Sequence, residues 1–393
     1  MSGSDAGGGA PTSTVDMCIA RVRVLGFRNL VAQELELRDG LTLLWGPNGA
    51  GKTNVLEAVC LALSGHSCRT RNERETIAFD QTMARVEVEV RRGAEPHQLL
   101  WSLNRAGERR HLVDGKDAGT EQLGLRPALA IFLPDRLALV KGPPAGRRAH
   151  LDRFVAALWP GRAEARRRYG RALAQRNALL GRVRAGAASG DSLDAWEEEL
   201  ASAGVELALC RREAVAALAP EFGSAAAELG VAEDAELRHE PRSDASRPEQ
   251  LAAELRACRE RDLARGHTTH GPHLDELAIS LGGRSVRRFG SQGEQRTALL
   301  ALLFAERRAL LEARQTPPLL LLDDVMSELD PDRRALLAGR LAEGGGQALL
   351  TATEPEQLDC PSAAIAVRRG SVCWSPPAAL PSPGGPARAS VAA

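Results

Sequence analysis

The feature that most constrains the fold of this chain is a glycine-rich octapeptide early in the sequence. An apolar run at residues 41–45 precedes it, and apolar residues at helical spacing follow it over residues 54–63. This order of strand, turn and helix predicts backbone N–H groups that converge on an anion at a helix N-terminus. The octapeptide fits the G-x-x-x-x-G-K-[ST] pattern of a phosphate-binding P-loop and consists of Gly46, Pro47, Asn48, Gly49, Ala50, Gly51, Lys52 and Thr53.

Two side chains of the octapeptide carry chemistry of their own. Lys52 supplies a positive charge for the β- and γ-phosphates, and the Thr53 hydroxyl is a ligand suited to Mg²⁺. We therefore expect ATP and Mg²⁺ as cofactors, with Lys52 also acting in catalysis.

Length and charge restrict the number of domains and the ways in which the chain can contact nucleic acid. A chain of 393 residues has room for one large or two smaller domains. Its formal net charge is zero, so any contact with nucleic acid has to come from local patches of positive charge. Lysine occurs only at positions 52, 116 and 141, and arginine carries the rest of the positive charge.

The cysteines and the chain ends indicate a cytoplasmic protein without a membrane partner. Seven cysteines are scattered without metal-ligand spacing, as reduced thiols are. No apolar run approaches the roughly 20 residues of a membrane span. Residues 1–19 are predicted to form a disordered leader, or else residues 1–16 precede a working start at Met17. The Pro- and Ala-rich residues 375–393 are predicted to form a disordered tail.

Strand patterns surround the P-loop. Residues 21–25 and 34–37 alternate polar and apolar side chains, which predicts an antiparallel meander that continues into the P-loop strand. Residues 85–90 and 99–103 predict a further antiparallel β-layer. Arg28 and Asn29, between the first two strands, are candidates for ATP binding, although Arg28 also fits a solvated arginine at a strand end.

Residues 147–265 change character and predict a helical insert lobe rich in Ala, Leu, Arg and Glu. Its arginines either form a solvated helix face or contact DNA phosphates, which position a protein on DNA without reading sequence. The candidates for DNA contact are Arg147, Arg148, Arg167, Arg171 and Arg176.

Strand patterns return after the insert and end in two carboxylates. Four consecutive leucines, residues 319–322, predict a strand buried on both faces that delivers Asp323 to the carboxyl edge of the sheet. This is a Walker B pattern, in which Asp323 joins Thr53 at the metal and Asp324 acts on the attacking water. Residues 347–353 are predicted to be the last core strand.

The order of the motifs along the chain indicates which class of P-loop protein this is. A signature segment with Ser291, Gly293 and Glu294 precedes a helix and the Walker B strand, and a D-loop with Ser327 and Asp330 follows. This resembles the layout of ABC-type ATPases. The resemblance implies an α/β fold: an ABC-type P-loop core with an antiparallel β-layer, built from residues 20–146 and 266–374, and a helical insert lobe. It also implies that the signature completes the nucleotide site of a second subunit in an ATP-dependent homodimer.

Within that class the chain is similar to one family, the RecF family of bacterial DNA replication and repair proteins. The residues that carry the resemblance are residues 25–30, Pro134-Asp135, Lys141-Gly142-x-Pro144-x-x-Arg147-Arg148, Leu151-Asp152, Tyr169, Gln175-Arg176-Asn177, Trp196, Thr268-x-x-Gly271-Pro272-His273-x-Asp275 and Ser291-Gln292-Gly293-x-Gln295-Arg296. The resemblance implies weak DNA-stimulated ATP hydrolysis that acts as a switch. It also implies binding of duplex, gapped or junction DNA, and action with RecR and RecO in loading RecA.

Some residues depart from the family pattern, and some alternative interpretations stay open. Glu294 replaces the glutamine usual in the family, Leu274 replaces a basic residue, and no Q-loop glutamine precedes Pro134. Gly271-Pro272-His273 is either a structural turn or a site. The chain could also be the nucleotide-binding subunit of a transporter, or a nucleotide-gated scaffold without useful turnover.

Overall fold

A computed structural model describes residues 17–70, 72–119, 121–133, 137–231, 234–343, 345–355 and 363–375. The predicted leader and tail fall outside these ranges except at their inner ends, where both predicted boundaries were wrong. Residues 17–19 belong to the first strand, and Ser375 ends the last one. Pro134-Asp135 also lies outside the described residues.

The strands and helices follow one another along the chain as strand pattern and helical periodicity predict, with some exceptions given below. The strands are β1 (Met17–Leu25), β2 (Gln33–Glu36), β3 (Leu41–Trp45), β4 (Met83–Arg92), β5 (Glu95–Asn104), β6 (Arg109–Val113), β7 (Lys116–Asp117), β8 (Leu129–Phe132), β9 (Ala235–Glu240), β10 (Glu276–Leu281), β11 (Arg284–Ser285), β12 (Leu319–Leu322), β13 (Ala348–Ala352), β14 (Ala363–Arg368) and β15 (Ser371–Ser375). The helices are α1 (Lys52–Ser64), α2 (Leu137–Lys141), α3 (Pro144–Leu158), α4 (Ala163–Arg184), α5 (Leu193–Glu228), α6 (Pro248–Ala257), α7 (Arg259–Arg265), α8 (Val286–Phe289), α9 (Gln292–Arg314) and α10 (Pro331–Glu343).

A central six-stranded sheet in the order β15-β14-β3-β13-β12-β8 organises the molecule. Its strands from β14 to β8 are parallel, and only the edge strand β15 runs antiparallel. All four leucines of β12 are buried because both faces of the sheet are covered. Leu319 and Leu321 pack towards α1, whereas Leu320 and Leu322 pack towards α9. The P-loop helix and the signature helix therefore lie on opposite faces.

The second sheet is antiparallel, in the order β2-β1-β4-β5-β6-β7, and its buried side chains share a core with α1. This corrects the prediction that the P-loop strand continues the opening meander, because β1 and β2 belong to this sheet and β3 to the central one. Gln347 joins the two sheets: its side chain accepts a hydrogen bond from the Ile19 N–H at 2.7 Å and donates to the Ile19 carbonyl at 2.8 Å.

The predicted helical insert is confirmed as mostly helical, with a correction. It contains one strand, β9, which pairs antiparallel with β10 outside the insert. Its longest helix, α5, runs for 36 residues and packs along α9. Leu218 and Phe222 of α5 belong to the same buried cluster as Leu299 of α9 and Leu320 of the central sheet. The insert is thus built onto the central sheet through α9.

Residues 347–353 do contain a core strand, β13, but not the last one. After it come β14, which pairs parallel with the P-loop strand β3, and β15 at the sheet edge. Their short alternating patterns lie next to the Pro- and Ala-rich C-terminal residues. The P-loop strand is consequently interior, with β13 on one side and β14 on the other.

Candidate nucleotide-binding site

The P-loop connects β3 to α1 at the carboxyl edge of the central sheet, and two of its glycines cannot be replaced without displacing neighbours. Gly46 has φ 152°, and a Cβ there would lie 2.2 Å from the Val367 carbonyl oxygen. Gly51 has φ 111°, and a Cβ there would lie 2.9 Å from a methyl group of Leu30. These close approaches let the loop bend tightly enough to begin α1 directly at Lys52.

The Lys52 ammonium lies across the loop. It donates hydrogen bonds to the carbonyl oxygens of Gly46 at 2.7 Å and Pro47 at 3.1 Å. Burial lowers the pKa of Lys52, and the carboxylates of Asp324 and Asp323 oppose that shift. The nearby acids thus favour the charged form, which a phosphate-binding lysine needs.

Thr53 and Asp323 meet across 270 positions of sequence. The Thr53 hydroxyl lies 2.9 Å from each carboxylate oxygen of Asp323. They come together because β3 and β12 are parallel strands of one sheet, so that their carboxyl ends share an edge. A hydroxyl and a carboxylate are the hard oxygen donors that Mg²⁺ prefers. The pair fits the metal role predicted for it.

Thr351 orients both acids of the Walker B segment. Its hydroxyl donates to Asp323 Oδ1 at 2.7 Å and accepts a hydrogen bond from the Asp324 backbone N–H at 2.9 Å. The side chain is fully buried at the end of β13. Sequence reasoning missed this residue, although a hydroxyl residue at the carboxyl end of an apolar core strand is a usable signal.

Asp324 has an unusual backbone conformation and one oxygen without a partner. Its φ is 49°, a left-handed conformation that costs free energy in a non-glycine residue and recurs at functional sites. Its Oδ1 atom is buried and accepts no hydrogen bond from the residues the structure describes. An oxygen of this kind suits a ligand of the site, such as a water molecule or a metal ion.

The two candidates that precede the P-loop differ in their contacts. The Asn29 side chain donates to the Gly49 carbonyl at 3.0 Å, so Asn29 supports the loop directly. Arg28 instead forms a two-pronged ion pair, both contacts 3.0 Å, with the buried Glu57 of α1. A nucleotide contact by Arg28 stays a prediction, and the observed role is to fix the start of the P-loop helix.

The signature segment begins α9 with a capping box. The Ser291 side chain accepts from the Glu294 backbone N–H at 3.2 Å, and the Glu294 carboxylate accepts from the Ser291 N–H at 2.6 Å. That Ser291 backbone bond is the main cause of a lowered pKa at Glu294. Ser291 is exposed, and Gly293 and Glu294 are half-buried.

The signature lies at the P-loop edge of the central sheet but on the other face. Helix α9 leads into β12, so its N-terminal end lies at the carboxyl edge of the strands. The 23-residue helix is about 35 Å long, whereas the four-residue strand β12 spans about 13 Å. The far end of this long helix carries the signature, and the sheet lies between that helix and α1.

The D-loop candidates follow the Walker B strand. The Ser327 hydroxyl donates to the Asp324 carbonyl at 2.9 Å, which ties the loop to the catalytic candidate. Asp330 lies directly before α10 and accepts hydrogen bonds from the Arg333 backbone at 2.9 Å and its side chain at 3.0 Å. The Arg333 backbone N–H is the main cause of a lowered pKa at Asp330.

The structure corrects two of the five predicted DNA contacts. Arg147 is 3% exposed and pairs with Glu276, and Arg176 is 0% exposed and pairs with Glu197 and Asp262. Both guanidinium groups are buried and paired with acids inside the fold, so neither can reach a phosphate backbone. Arg148 is partly buried and donates to the Asp275 carbonyl at 2.8 Å.

The remaining two candidates, Arg167 and Arg171, are exposed on α4. Their side chains are 63% and 71% exposed, and both pair with Glu164 at 2.7 Å. Exposed ion pairs of this kind contribute little and exchange readily. These two arginines are therefore available to a phosphate backbone.

Gly271-Pro272-His273 forms a turn that fastens the insert to β10. The Tyr169 hydroxyl lies 2.7 Å from His273 Nδ1, and His273 Nε2 lies 3.0 Å from the Thr268 carbonyl. Burial lowers the pKa of His273, which favours the neutral ring. These contacts support the structural reading of the motif.

Known proteins are similar to this chain in sequence and in fold. The family model described as RecF/RecN/SMC N terminal domain matches residues 18–371. "DNA replication and repair protein RecF" of Anaeromyxobacter sp. strain K is 39% identical over 358 residues, covering 87% of this chain and 94% of that protein. The protein of the same name from Deinococcus radiodurans is 38% identical, covering 92% and 96%.

Solved structures agree. One described as the recombination mediator protein RecF-ATP in the RecFOR pathway superposes with a TM-score of 0.86 at 28% identity, covering 94% of this chain and 100% of that one. An Smc head bound to a domain of ScpA, at 16% identity and a TM-score of 0.54, shares the fold alone. Among the described helices, none has the length and apolarity that a membrane crossing requires. The chain belongs to the RecF family of DNA replication and repair proteins.

Proposed function

We propose that this protein is a cytoplasmic, ATP-dependent DNA-binding protein of recombinational repair and replication restart, which closes as a homodimer over its nucleotides. One observation carries the proposal: the P-loop hydroxyl of Thr53 meets both oxygens of the Walker B carboxylate Asp323. This contact supports an ATP·Mg²⁺ site whose two halves, far apart in sequence, lie at one edge of the sheet.

Each side chain at this edge takes one role. The backbone of residues 46–53 and the Lys52 ammonium bind the phosphates, and Thr53 and Asp323 hold Mg²⁺. Asp324, whose Oδ1 has no partner among the residues that the structure describes, orients and deprotonates the attacking water. Thr351 holds Asp323 and Asp324 in position through its hydroxyl group. Hydrolysis is slow and serves as a switch that opens the dimer.

The position of the signature supports the proposed dimer. Ser291 and Gly293 begin a helix on the face of the sheet opposite to α1, away from their own P-loop helix. A second copy, turned to face the first, brings its signature over the P-loop. Nucleotide is then held between two chains, and each chain supplies half of both sites.

DNA binding is proposed for the closed dimer through exposed arginines such as Arg167 and Arg171, with Arg148 at the margin. Such contacts neutralise phosphates, so they weaken steeply with salt and ignore sequence. The solved relative described as a recombination mediator in the RecFOR pathway supports RecR and RecO as partners. The proposed outcome is RecA loading on gapped DNA.

The experiment measures steady-state ATP hydrolysis without DNA, with duplex DNA and with gapped DNA, each at two salt concentrations. We expect gapped or duplex DNA to stimulate turnover, with the stimulation fading at high salt. Lys52→Met removes turnover, and the matched control Lys116→Met, at an exposed lysine of β7, leaves it unchanged. Turnover indifferent to every DNA would contradict the DNA-gated part of the proposal and favour a scaffold.

A further inference from the structure

A cleft of about 290 Å³ lies apart from the P-loop, beside the signature turn, which is the turn that leads through Gly290 into Ser291. Its floor is the outer face of the small sheet formed by β9, β10 and β11, and its wall is the short helix α8. Ligand pockets in proteins begin at about 300 Å³, so this volume fits one small polar group with its attachment.

The strand register explains which side chains reach the cleft. Leu277, Ile279 and Leu281 of β10 point into the core. The intervening residues, Ala278 and Ser280 among them, therefore line the opposite face. Arg238 of β9 is paired directly opposite Ala278, so its side chain starts on the same face.

Ser280 is the clearest indication of a ligand. The residue is 6% exposed, and its hydroxyl has no hydrogen-bond partner among the residues the structure describes. A buried hydroxyl without a partner is unfavourable. One that lines a cleft is explained if a molecule entering the cleft supplies the missing hydrogen bond.

The charge of the cleft indicates an anion. Arg238, Arg287 and Arg288 line it in addition to the buried Arg147. Glu276 also lines it, but the Arg147 guanidinium binds both of its oxygens, at 2.6 and 2.7 Å, and neutralises it. Glu240 is the other acid of the lining. Arg288 is exposed and forms no ion pair with any part of the chain that the structure covers.

Phe289 adds an aromatic surface at the rim. It is 70% exposed and directly follows the two arginines of α8. An exposed ring beside cations is the combination by which proteins bind single-stranded nucleic acid, since bases stack on the ring while the cations follow the backbone. Bases within a duplex are stacked on one another and do not offer a free face to such a ring.

We propose that this cleft binds one nucleotide of a single-stranded nucleic acid. The phosphate is held by Arg287 and Arg288 and accepts a hydrogen bond from the Ser280 hydroxyl, while the base stacks on Phe289. The bound nucleotide lies next to the turn that leads into Ser291. This site goes beyond the ATP-closed dimer proposed above and requires no ATP.

The test uses fluorescence anisotropy of the full-length protein without nucleotide, so that its outcome is independent of dimer closure. The probes are a labelled (dT)12 strand, a 12-base-pair duplex and, as a competitor, dTMP. Phe289→Ala is expected to weaken strand binding roughly tenfold and to leave duplex binding unchanged. Arg288→Ala is expected to reduce the salt dependence of strand binding by about 0.7 in log–log slope.

Ser280→Ala separates a ligand contact from a structural role. Because the hydroxyl is unpartnered in the fold, its removal is expected to leave the melting temperature unchanged or raised, while strand affinity falls roughly tenfold. Arg91→Ala, at an exposed arginine of β4 outside the cleft, is the control and should change neither.

Three results would overturn the proposal. Strand binding unchanged in both Phe289→Ala and Ser280→Ala would show that the cleft is not used. If the variants lost duplex binding as much as strand binding, the arginines of the cleft would be assigned to general DNA contact. A dTMP affinity equal to that of the (dT)12 strand would assign the cleft to a free nucleotide.

Discussion

The P-loop edge and the signature turn differ in how their polar groups are satisfied. At the P-loop edge, Thr53 and Asp323 come from distant parts of the chain and bind each other, while Lys52 binds carbonyl groups of its own loop. At the signature turn, the side chains of Ser291 and Glu294 each accept a hydrogen bond from the other residue's backbone N–H, in a capping box. The tertiary fold brings the groups of the first region together. The second region takes its shape from local contacts within one turn and faces outwards. This difference is consistent with the proposed dimer, in which one chain supplies the phosphate half of the site and the other chain supplies the signature half.

The largest effect is expected from Lys52→Met. Loss of the ammonium removes a charge-assisted contact to the phosphates, so ATP affinity should fall by about 3 kcal/mol, or over a hundredfold. Dimerisation with ATP should be lost as well. Calorimetric titration with ATP measures the affinity. An unaltered ATP affinity in this variant would contradict the contrast between the two regions, since the P-loop edge would then not be the phosphate site.

Asp324→Asn should separate binding from turnover. The change keeps the shape of the side chain but removes the base, so hydrolysis should slow by about 10²- to 10³-fold. ATP binding and the ATP-dependent dimer should persist, because Thr53, Lys52 and Asp323 are untouched. Single-turnover hydrolysis combined with ATP titration distinguishes the two steps. Normal turnover would leave Asp324 with a role in shaping the site only.

Thr351→Val tests whether the two acids depend on their shared hydroxyl. Valine has the same shape, but it cannot donate to Asp323 or accept from the Asp324 N–H. A loss of roughly tenfold in turnover is expected, as for other residues that orient metal ligands. Thr42→Val, at a buried threonine of β3 whose hydroxyl has no partner among the described residues, is the matched control. Equal losses in both variants would indicate a general packing defect.

The smallest effect concerns the acid sensitivity of the far end of the P-loop helix α1. His111 of β6 lies 2.9 Å from the Ala62 carbonyl in the last turns of α1, and burial lowers the pKa of His111 to about 4. Because the unfolded chain keeps a pKa near 6.5, it binds more protons than the folded chain between these values. The free energy of unfolding should therefore fall as pH drops from 6.5 to 4, by about 1 to 2 kcal/mol after allowance for solvent screening.

Urea unfolding at several pH values measures this, with His111→Gln as the comparison. Glutamine donates to the same carbonyl without titrating, so the variant should lose less stability on acidification. Identical pH dependence in both proteins would exclude His111 as the cause. Hydrogen exchange would further show whether α1 loosens at low pH while α9 does not.

The same contrast explains what the sequence could predict. The P-loop, the Walker B acids and the serine that begins α9 are local patterns, and each takes the predicted place. Relations between distant segments were harder. The meander β1–β2 belongs to a different sheet from the P-loop strand because β1 pairs with β4, which follows it by some 60 positions. Thr351 was missed because its partners lie on another strand.

Arginine was the residue type that misled most. A helix rich in arginine shows which residues are charged but not which of them face the core. Arg147 and Arg176 are buried because acids contributed by distant segments, such as Glu276 and Asp262, surround them. Their neighbours Arg167 and Arg171 have similar sequence surroundings and remain exposed. Such partners become visible only when the tertiary structure is known.

The central claim is that the signature acts on the nucleotide of a second subunit, and light scattering on Ser291→Arg tests it most directly. With ATP and Mg²⁺, we expect wild type to double its mass and Ser291→Arg to stay a monomer that still binds ATP. Ser189→Arg, which alters another exposed capping serine within the insert, controls for loss of a cap and should dimerise. A Ser291→Arg protein that dimerises with ATP as wild type does would contradict the account.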